Sequence, residues 1–186
     1  RDVAPSRGLG DVYKRQELPV VINSGSGNQG LTVSVPLIVY AEREHLDKEK
    51  LYRALVISNL TAIHLKTEIG RLSAFCGAVS AGAACGAGLA YLKDASEEVM
   101  NHTIVNALAI TSGIICDGAK ASCAAKIAVS VEAGILGYDM YMNGQQFYGG
   151  DGIISKGIEN TIHNIGVLGS QGMASTDQEI IKIMCE

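Results

Sequence analysis

Cys116-Asp117-Gly118-Ala119-Lys120-Ala121-Ser122-Cys123 is the stretch from which the rest of the chain is read. Two thiols stand seven positions apart with a helix-breaking pair between them. On one straight helix they would share a face about 10 Å apart, too wide for one small metal ion. Asp117 favours a helix N-cap and Gly118 disfavours a helix interior. The spacing therefore predicts Cys116 at the end of one helix and Cys123 in the first turns of the next. In that geometry the thiols converge on something larger than a single ion. A third thiol, Cys76, lies in a second Gly/Ala-rich stretch, Phe75-Cys76-Gly77-Ala78. Three thiolates are one short of a four-cysteine iron–sulfur shell. The opposing reading is that all three are small buried hydrophobes, and spacing alone slightly favours it. No CxxC pair is present, which disfavours a zinc ribbon or a thioredoxin-like site. Cys85 reads as a packing residue. Cys185, next to the last residue, reads as an exposed thiol or as a tail ligand.

Composition narrows the classes. A length of 186 residues fits one domain, and 47% apolar residues suffice for a sizeable core. Trp is absent, while Gly and Ala recur through the middle, as close helix packing or close approach to a ligand would require. The net charge is −4 with no basic block, so nucleic acid is not an expected partner. Five cysteines cannot all pair, and no signal peptide is in view, so a reduced, cytoplasmic setting with metal or redox use is expected. Ala74–Leu92 is apolar for about the length that spans a bilayer. Gly, Ala and Ser dominate it, however, and the neighbouring runs carry Asp117, Lys120, Lys126 and Glu132. Buried helices, not a membrane, are expected.

The chain starts at Arg1, and Asp11-Val12-Tyr13-Lys14-Arg15-Gln16 resembles a translated sequencing adapter. Residues 1–16 are therefore set aside as non-native. Residues 17–186 are expected to be one domain, with the native sequence starting near Glu17 and its N-terminal part missing.

Leu18–Ile22 is a short apolar run that feeds Ser24-Gly25-Ser26-Gly27-Asn28-Gln29-Gly30. This is expected to be a loop whose N–H groups turn toward an anion if a helix follows. It lacks the Lys-Ser/Thr of a Walker loop, and no strand–helix alternation follows its GxGxxG spacing. A plain flexible loop is an equal reading. Leu31–Tyr40 is expected as a helix disturbed at Pro36, although Thr32, Val33, Val35 and Val39 favour a strand. Asp47 caps a helix to Lys66, with Leu51, Leu55 and Ala62 inward. Arg71–Leu92 follows, and its Gly82-Ala83-Ala84-Cys85-Gly86 spacing allows close helix contact. Glu97–Cys116, Lys120–Asn143, Ile153–Leu168 and Thr176–Met184 complete an all-α domain with Gly/Ala-rich helices at its centre, the last opened by Ser175-Thr176-Asp177. His45, His64, His102 and His163 each read first as surface or core residues.

Taken in order, three segments carry a resemblance: Ser24 to Gly30; Gly70-Arg71-Leu72-Ser73-Ala74-Phe75-Cys76-Gly77; and Cys116 to Cys123. With the tail from Gly150-Asp151-Gly152-Ile153 to Gly172-Met173, they resemble the serine dehydratase-like α-chain family. The nearest branch is that of the iron–sulfur L-cysteine desulfidases, since the Cys116–Cys123 spacing is shorter than in typical serine dehydratases. The resemblance covers about residues 17–186. It implies an all-helical catalytic domain and an oxygen-labile [4Fe-4S] cluster held by Cys76, Cys116 and Cys123. It implies a small amino-acid substrate, no pyridoxal phosphate, and leaves room for a homo-oligomer. The implied activity is a lyase: β-elimination of L-cysteine or L-serine to pyruvate and ammonia. The iron left without a protein ligand would act as Lewis acid on the leaving group while a base takes the α-proton.

Ser24, Gly25, Ser26, Gly27, Asn28, Gln29 and Gly30 are the candidate grip for the substrate carboxylate. Lys120, Asp117 and His64 are available as bases, though none sits in a motif that marks it. The family's main base is expected in the missing N-terminal part, so this chain alone is expected to turn over slowly and to expose an apolar surface. The alternatives are a non-catalytic iron–sulfur or redox-sensing protein, and a metal-free membrane or structural helical protein. On the lyase reading the three cysteines share one cavity, Cys85 points elsewhere, and Ser24–Gly30 lies beside the thiols.

Overall fold

A computed structural model describes residues 19–70 and 73–186. What the sequence suggests for residues 1–16, for Leu18 and for Arg71 and Leu72 lies outside the described residues. Seven α-helices occur among the described residues. They are α1 (Gly27–Arg43), α2 (Lys48–Ile69), α3 (Gly77–Leu92), α4 (Glu97–Thr111), α5 (Cys123–Met142), α6 (Ile158–Val167) and α7 (Ala174–Cys185). Residues Leu168–Gly172 form a π-helical turn between α6 and α7. There is no strand among the described residues, only two isolated bridges, Asn23–Ser26 and Phe75–Ile115. The fold is all-α, as the sequence indicates.

Helix α3 is the centre. It is buried on nearly every side and touches α1, α2, α4 and α5. A helix that is apolar all round has to be a core helix, and small side chains let four neighbours approach it. The tightest crossing is with α5. A Cβ on Gly82 would collide with the backbone of Ser130, and one on Gly134 would stand 2.6 Å from the Gly82 carbonyl oxygen. Helix α5 also presses on α4, where the buried Asn106 amide donates to the Gly137 carbonyl at 3.0 Å. No helix of the described residues is long and apolar enough to cross a membrane.

Around this centre, packing overrides several local preferences. Val33, Leu37 and Ala41 are buried one turn apart on α1, so the strand-favouring residues there are held in a helix that runs through Pro36 without ending. Helix α2 buries Ala54, Ser58, Ala62, Leu65, Lys66 and Ile69, and it ends at Gly70, whose φ of 89° suits glycine. Its opposite face exposes Tyr52, Val56, Leu60 and Ile63 as an apolar stripe.

Several boundaries differ from the sequence reading, among them the start of α3, which is Gly77 and not Arg71. Helix α4 stops at Thr111, not Cys116, because Gly113 turns the chain (φ 145°) and Ile115 then pairs with Phe75. Helix α5 starts at Cys123, and Asp117 caps nothing, since its carboxylate is drawn to Lys120 and Lys126. Helix α6 starts at Ile158, after a turn-rich segment in which Gly150, Gly152 and Gly157 all have positive φ. Helix α7 grows out of the π-helical turn at Ala174 and takes no cap from Ser175 or Asp177.

Candidate active site at the thiol cavity

Backbone pairing sets two of the three thiols. The Cys76 N–H donates to the Ile114 carbonyl at 3.2 Å, and the Cys116 N–H donates to the Ala74 carbonyl at 2.6 Å. Cys116 thus lies on an extended segment beside the entry to α3, and Cys76 is the residue just before that helix. The third thiol begins α5. Cys123 Sγ accepts from the Lys120 N–H at 3.4 Å and donates to the Gly118 carbonyl at 3.5 Å, so the Gly118–Ser122 turn wraps around this sulfur.

The other wall is the start of α1. The glycine-rich stretch is only partly a loop: Ser24 and Gly25 turn with φ of 50° and 83°, Ser26 is the N-cap, and Gly27–Gly30 is already helix. Ser26 Oγ accepts from the Gln29 N–H at 3.4 Å. The turn is tied to α2 by the buried Asn23, which donates to Asn59 Oδ1 at 2.9 Å. The first N–H groups of a helix have no partner within it and favour an anion. Gly27 and Gly30 serve the chain instead. A Cβ on Gly30 would collide with the Val21 carbonyl, and one on Gly27 would press on Val20.

These walls enclose a cavity of about 200 Å³ bordered by Cys76, Cys116 and Cys123 and by Ser24, Gly25, Ser26, Asn28 and Gln29. It is smaller than the roughly 300–1,000 Å³ of sites for drug-sized ligands, and so suits a small one. Cys85 is elsewhere, fully buried under Leu37 and Leu89, and burial pushes its thiol up to about 12. Cys185 is exposed. A larger cavity of about 790 Å³ at the N-terminus of α4 is bordered by His102 and Gln146 and holds no thiol.

The charges at the cavity are asymmetric. The neighbouring Cys116 thiol raises the Cys76 pKa, and burial raises it further. The same interaction lowers Cys116, and Lys126 and Lys66 act in the same direction. Cys116 is thereby held toward the thiolate. Two cations border the cavity that motif reasoning missed. Lys126 Nζ donates to the Ile115 carbonyl and to Asp117 Oδ1, each at 2.8 Å. Lys66 is 6% exposed, and burial lowers its pKa against the raising effect of Cys116 and Cys76. The signal for Lys66 was present in the sequence, since it falls on the same helical face as Ala62 and Ile69. A lysine on an apolar stripe is rarely buried without a reason.

The three candidate bases are placed differently. Asp117 pairs with Lys120 at 2.5 Å and with Lys126 at 2.8 Å. Hydrogen bonds from Lys120 and then Lys126 hold its carboxyl at about 2, which makes it a weak base and a good clasp. His64 is on the outer surface, paired with Glu159 at 2.8 Å, and does not border the cavity.

Among the described residues, no group of three or more His, Cys, Asp or Glu side chains could hold a single metal ion. An all-sulfur donor set from three separate segments, spaced around a cavity, has the chemistry that an iron–sulfur cluster would take, and Cys76, Cys116 and Cys123 would be the residues to hold it.

Comparison with known proteins identifies the family. The family model of the serine dehydratase alpha chain matches residues 14–182. A UPF0597 protein of Desulfitobacterium hafniense is 67% identical over 168 residues, which is 90% of this chain and 39% of the relative. One from Treponema denticola is 55% identical over 166 residues, 89% of this chain and 38% of the relative. One from Finegoldia magna is 53% identical over 169 residues, 91% of this chain and 40% of the relative. The chain thus spans about two fifths of the length of these relatives. No solved structure matches it. With a matched region running from residue 14 to residue 182, the chain belongs to the serine dehydratase alpha chain family.

Proposed function

We propose that this chain is the cluster-binding and substrate-gripping part of a cytoplasmic lyase that eliminates the β-substituent of L-cysteine or L-serine, giving pyruvate and ammonia. One observation supports this most: three thiols and the N-terminus of α1 border the same small cavity. Cys76, Cys116 and Cys123 would hold a [4Fe-4S] cluster. When bound, that group supplies a Lewis-acidic iron without a protein ligand, which favours departure of a β-thiol or β-hydroxyl.

The chain's own groups do the rest of the binding. The first N–H groups of α1, with Ser26 as cap, grip the substrate carboxylate. Lys66 adds positive charge where thiolates and a carboxylate meet, and the buried setting strengthens its effect. Lys126 and Asp117 clasp the segment that carries Cys116 and so fix its position. Cys85 takes no part.

The test is anaerobic reconstitution of the full-length protein with iron and sulfide, followed by assay of pyruvate on L-cysteine and L-serine and of sulfide on L-cysteine. Pyruvate from either amino acid, lost in Cys116→Ser, is the expected result. A reconstituted cluster with no pyruvate from either would overturn the lyase reading. It would leave the second one, a redox-sensing thiol site, which is favoured by Cys116 and Cys76 bordering one cavity. That reading requires an oxidant to change the Cys76–Cys116 pair reversibly.

A further inference from the structure

The amide of Gln29 is an unpartnered polar group at the thiol cavity. Gln29 is 3% exposed, and its Oε1 is buried with no hydrogen-bond partner among the described residues. A buried acceptor left unpaired costs about 1–3 kcal/mol, so a group of this kind at the wall of a site points to a partner from outside the chain. The amide's place is kept by Gly77. A Cβ on Gly77 would stand 2.7 Å from both Cδ and Nε2 of Gln29. Gly77 directly follows Cys76, so the amide lies beside the thiols.

Of the other polar groups at this wall, the Asn28 amide offers an acceptor as well as donors, while Lys66, Lys126, Ser24, Ser26 and the start of α1 offer donors or are already engaged. Lys66 and Lys126 carry only N–H donors, and Lys126 is bound to Ile115 and Asp117. The start of α1 presents N–H groups. Ser26 Oγ accepts from the Gln29 N–H, and Ser24 Oγ donates to Asn23 at 2.8 Å. A simple anion would satisfy these donors and leave Gln29 Oε1 unpaired. A ligand with a carboxylate and an adjacent ammonium satisfies both kinds of group. We infer that Gln29 Oε1 accepts a hydrogen bond from the α-ammonium of the substrate. Gln29 is then the residue that distinguishes an α-amino acid from an acid of the same size without the amine. The inference rests on the amino-acid reading above and deepens it.

L-Alanine and propionate test it, since they differ only in the ammonium and neither can undergo the elimination. Dissociation constants are measured by NMR titration on the anaerobic chain, reduced and reconstituted, and compared in the state that binds L-alanine more tightly. The wild-type chain is expected to prefer L-alanine by about tenfold or more, the worth of a hydrogen bond to a charged group. Gln29→Met, which keeps the length and removes the acceptor, brings the two ligands to within about twofold of each other, and Gln29→Glu, which keeps an acceptor, retains the preference. Gly77→Ala displaces the amide without removing it and weakens the preference as well, which keeps the test available should Gln29→Met fail to fold. Retained preference in both Gln29→Met and Gly77→Ala overturns the role of Gln29 and leaves the amino-acid reading standing. A wild-type chain that binds neither ligand, or both equally, overturns the inference and counts against the amino-acid reading too.

Discussion

Phe75 and Ile115 face each other across a single antiparallel bridge, and a cysteine follows each of them. Phe75 is 1% exposed, one of the largest fully buried side chains in the core. The approach of Cys76 to Cys116 is therefore supported by a core anchor and two backbone hydrogen bonds. Phe75→Ala should cost about 3–5 kcal/mol of stability, and Phe75→Leu clearly less. Urea unfolding at neutral pH measures both. Equal, small losses would show that the bridge is not anchored by the aromatic ring.

The crossing of α3 and α5 has no room for side chains at Gly82 and Gly134. Gly82→Ala should destabilise by about 1–3 kcal/mol through overpacking against the Ser130 backbone. Gly144→Ala serves as a contrast, since Gly144 has open space around it and only its φ of 74° opposes a side chain. The denaturant midpoints of the two variants give the comparison. A Gly82→Ala protein as stable as wild type would mean that the helices do not cross this closely.

Asp117 should make the fold sensitive to acid in a defined window. Its folded pKa of about 2 lies below the ordinary 3.8, so the clasp with Lys120 and Lys126 stabilises the fold above the ordinary value. The contribution is lost as pH falls from about 4 to about 2. The difference in thermal midpoint between wild type and Asp117→Asn should be steady above about pH 5 and close toward zero near pH 2. A difference that widens on acidification would contradict the clasp.

Thiol reactivity should follow the site's electrostatics. In the reduced, metal-free chain at neutral pH, iodoacetamide is expected to label Cys116 well ahead of Cys76 and Cys85. Cys116 is the thiol held toward the thiolate, while Cys76 is raised by Cys116 beside it and then by burial, and Cys85 is raised by burial. Peptide mass spectrometry over a time course reads the order. Cys85 labelling first would mean that α3 is not the protected centre of the fold.

Much of this architecture was legible in the residues, and the misreadings have physical causes. Uninterrupted small apolar residues from Gly77 to Leu92 marked the core helix, because only a helix surrounded on all sides tolerates that composition. Asp117-Gly118 correctly signalled an interruption between two thiols. Its interpretation as a cap failed because Lys120 and Lys126, whose approach depends on the folded turn, compete for the same carboxylate. The extension of Cys116 away from α4 was equally invisible, since the bridge that holds it is made with residue 75 from another part of the chain. The α1 start was read as loop because glycine is a poor helix former. Gly30 is a glycine within that helix because the Val21 backbone passes over it and leaves no room for a Cβ. Lys66 was legible as a lysine on the apolar face of its helix, but what it meets shows only once Cys76 and Cys116 are brought to the same wall.

The account stands most directly on cluster uptake. The chain and its single Cys→Ser variants at 76, 85, 116 and 123 are reconstituted anaerobically, and iron, sulfide and visible absorbance are measured per chain. Wild type and Cys85→Ser should each bind about four irons and four sulfides and turn brown, as a cubane cluster requires. Cys76→Ser, Cys116→Ser and Cys123→Ser should each lose most of this while keeping their helical circular dichroism. A wild-type chain that takes up no iron, or a Cys85→Ser protein that loses as much as the other three, would contradict the assignment of the cavity.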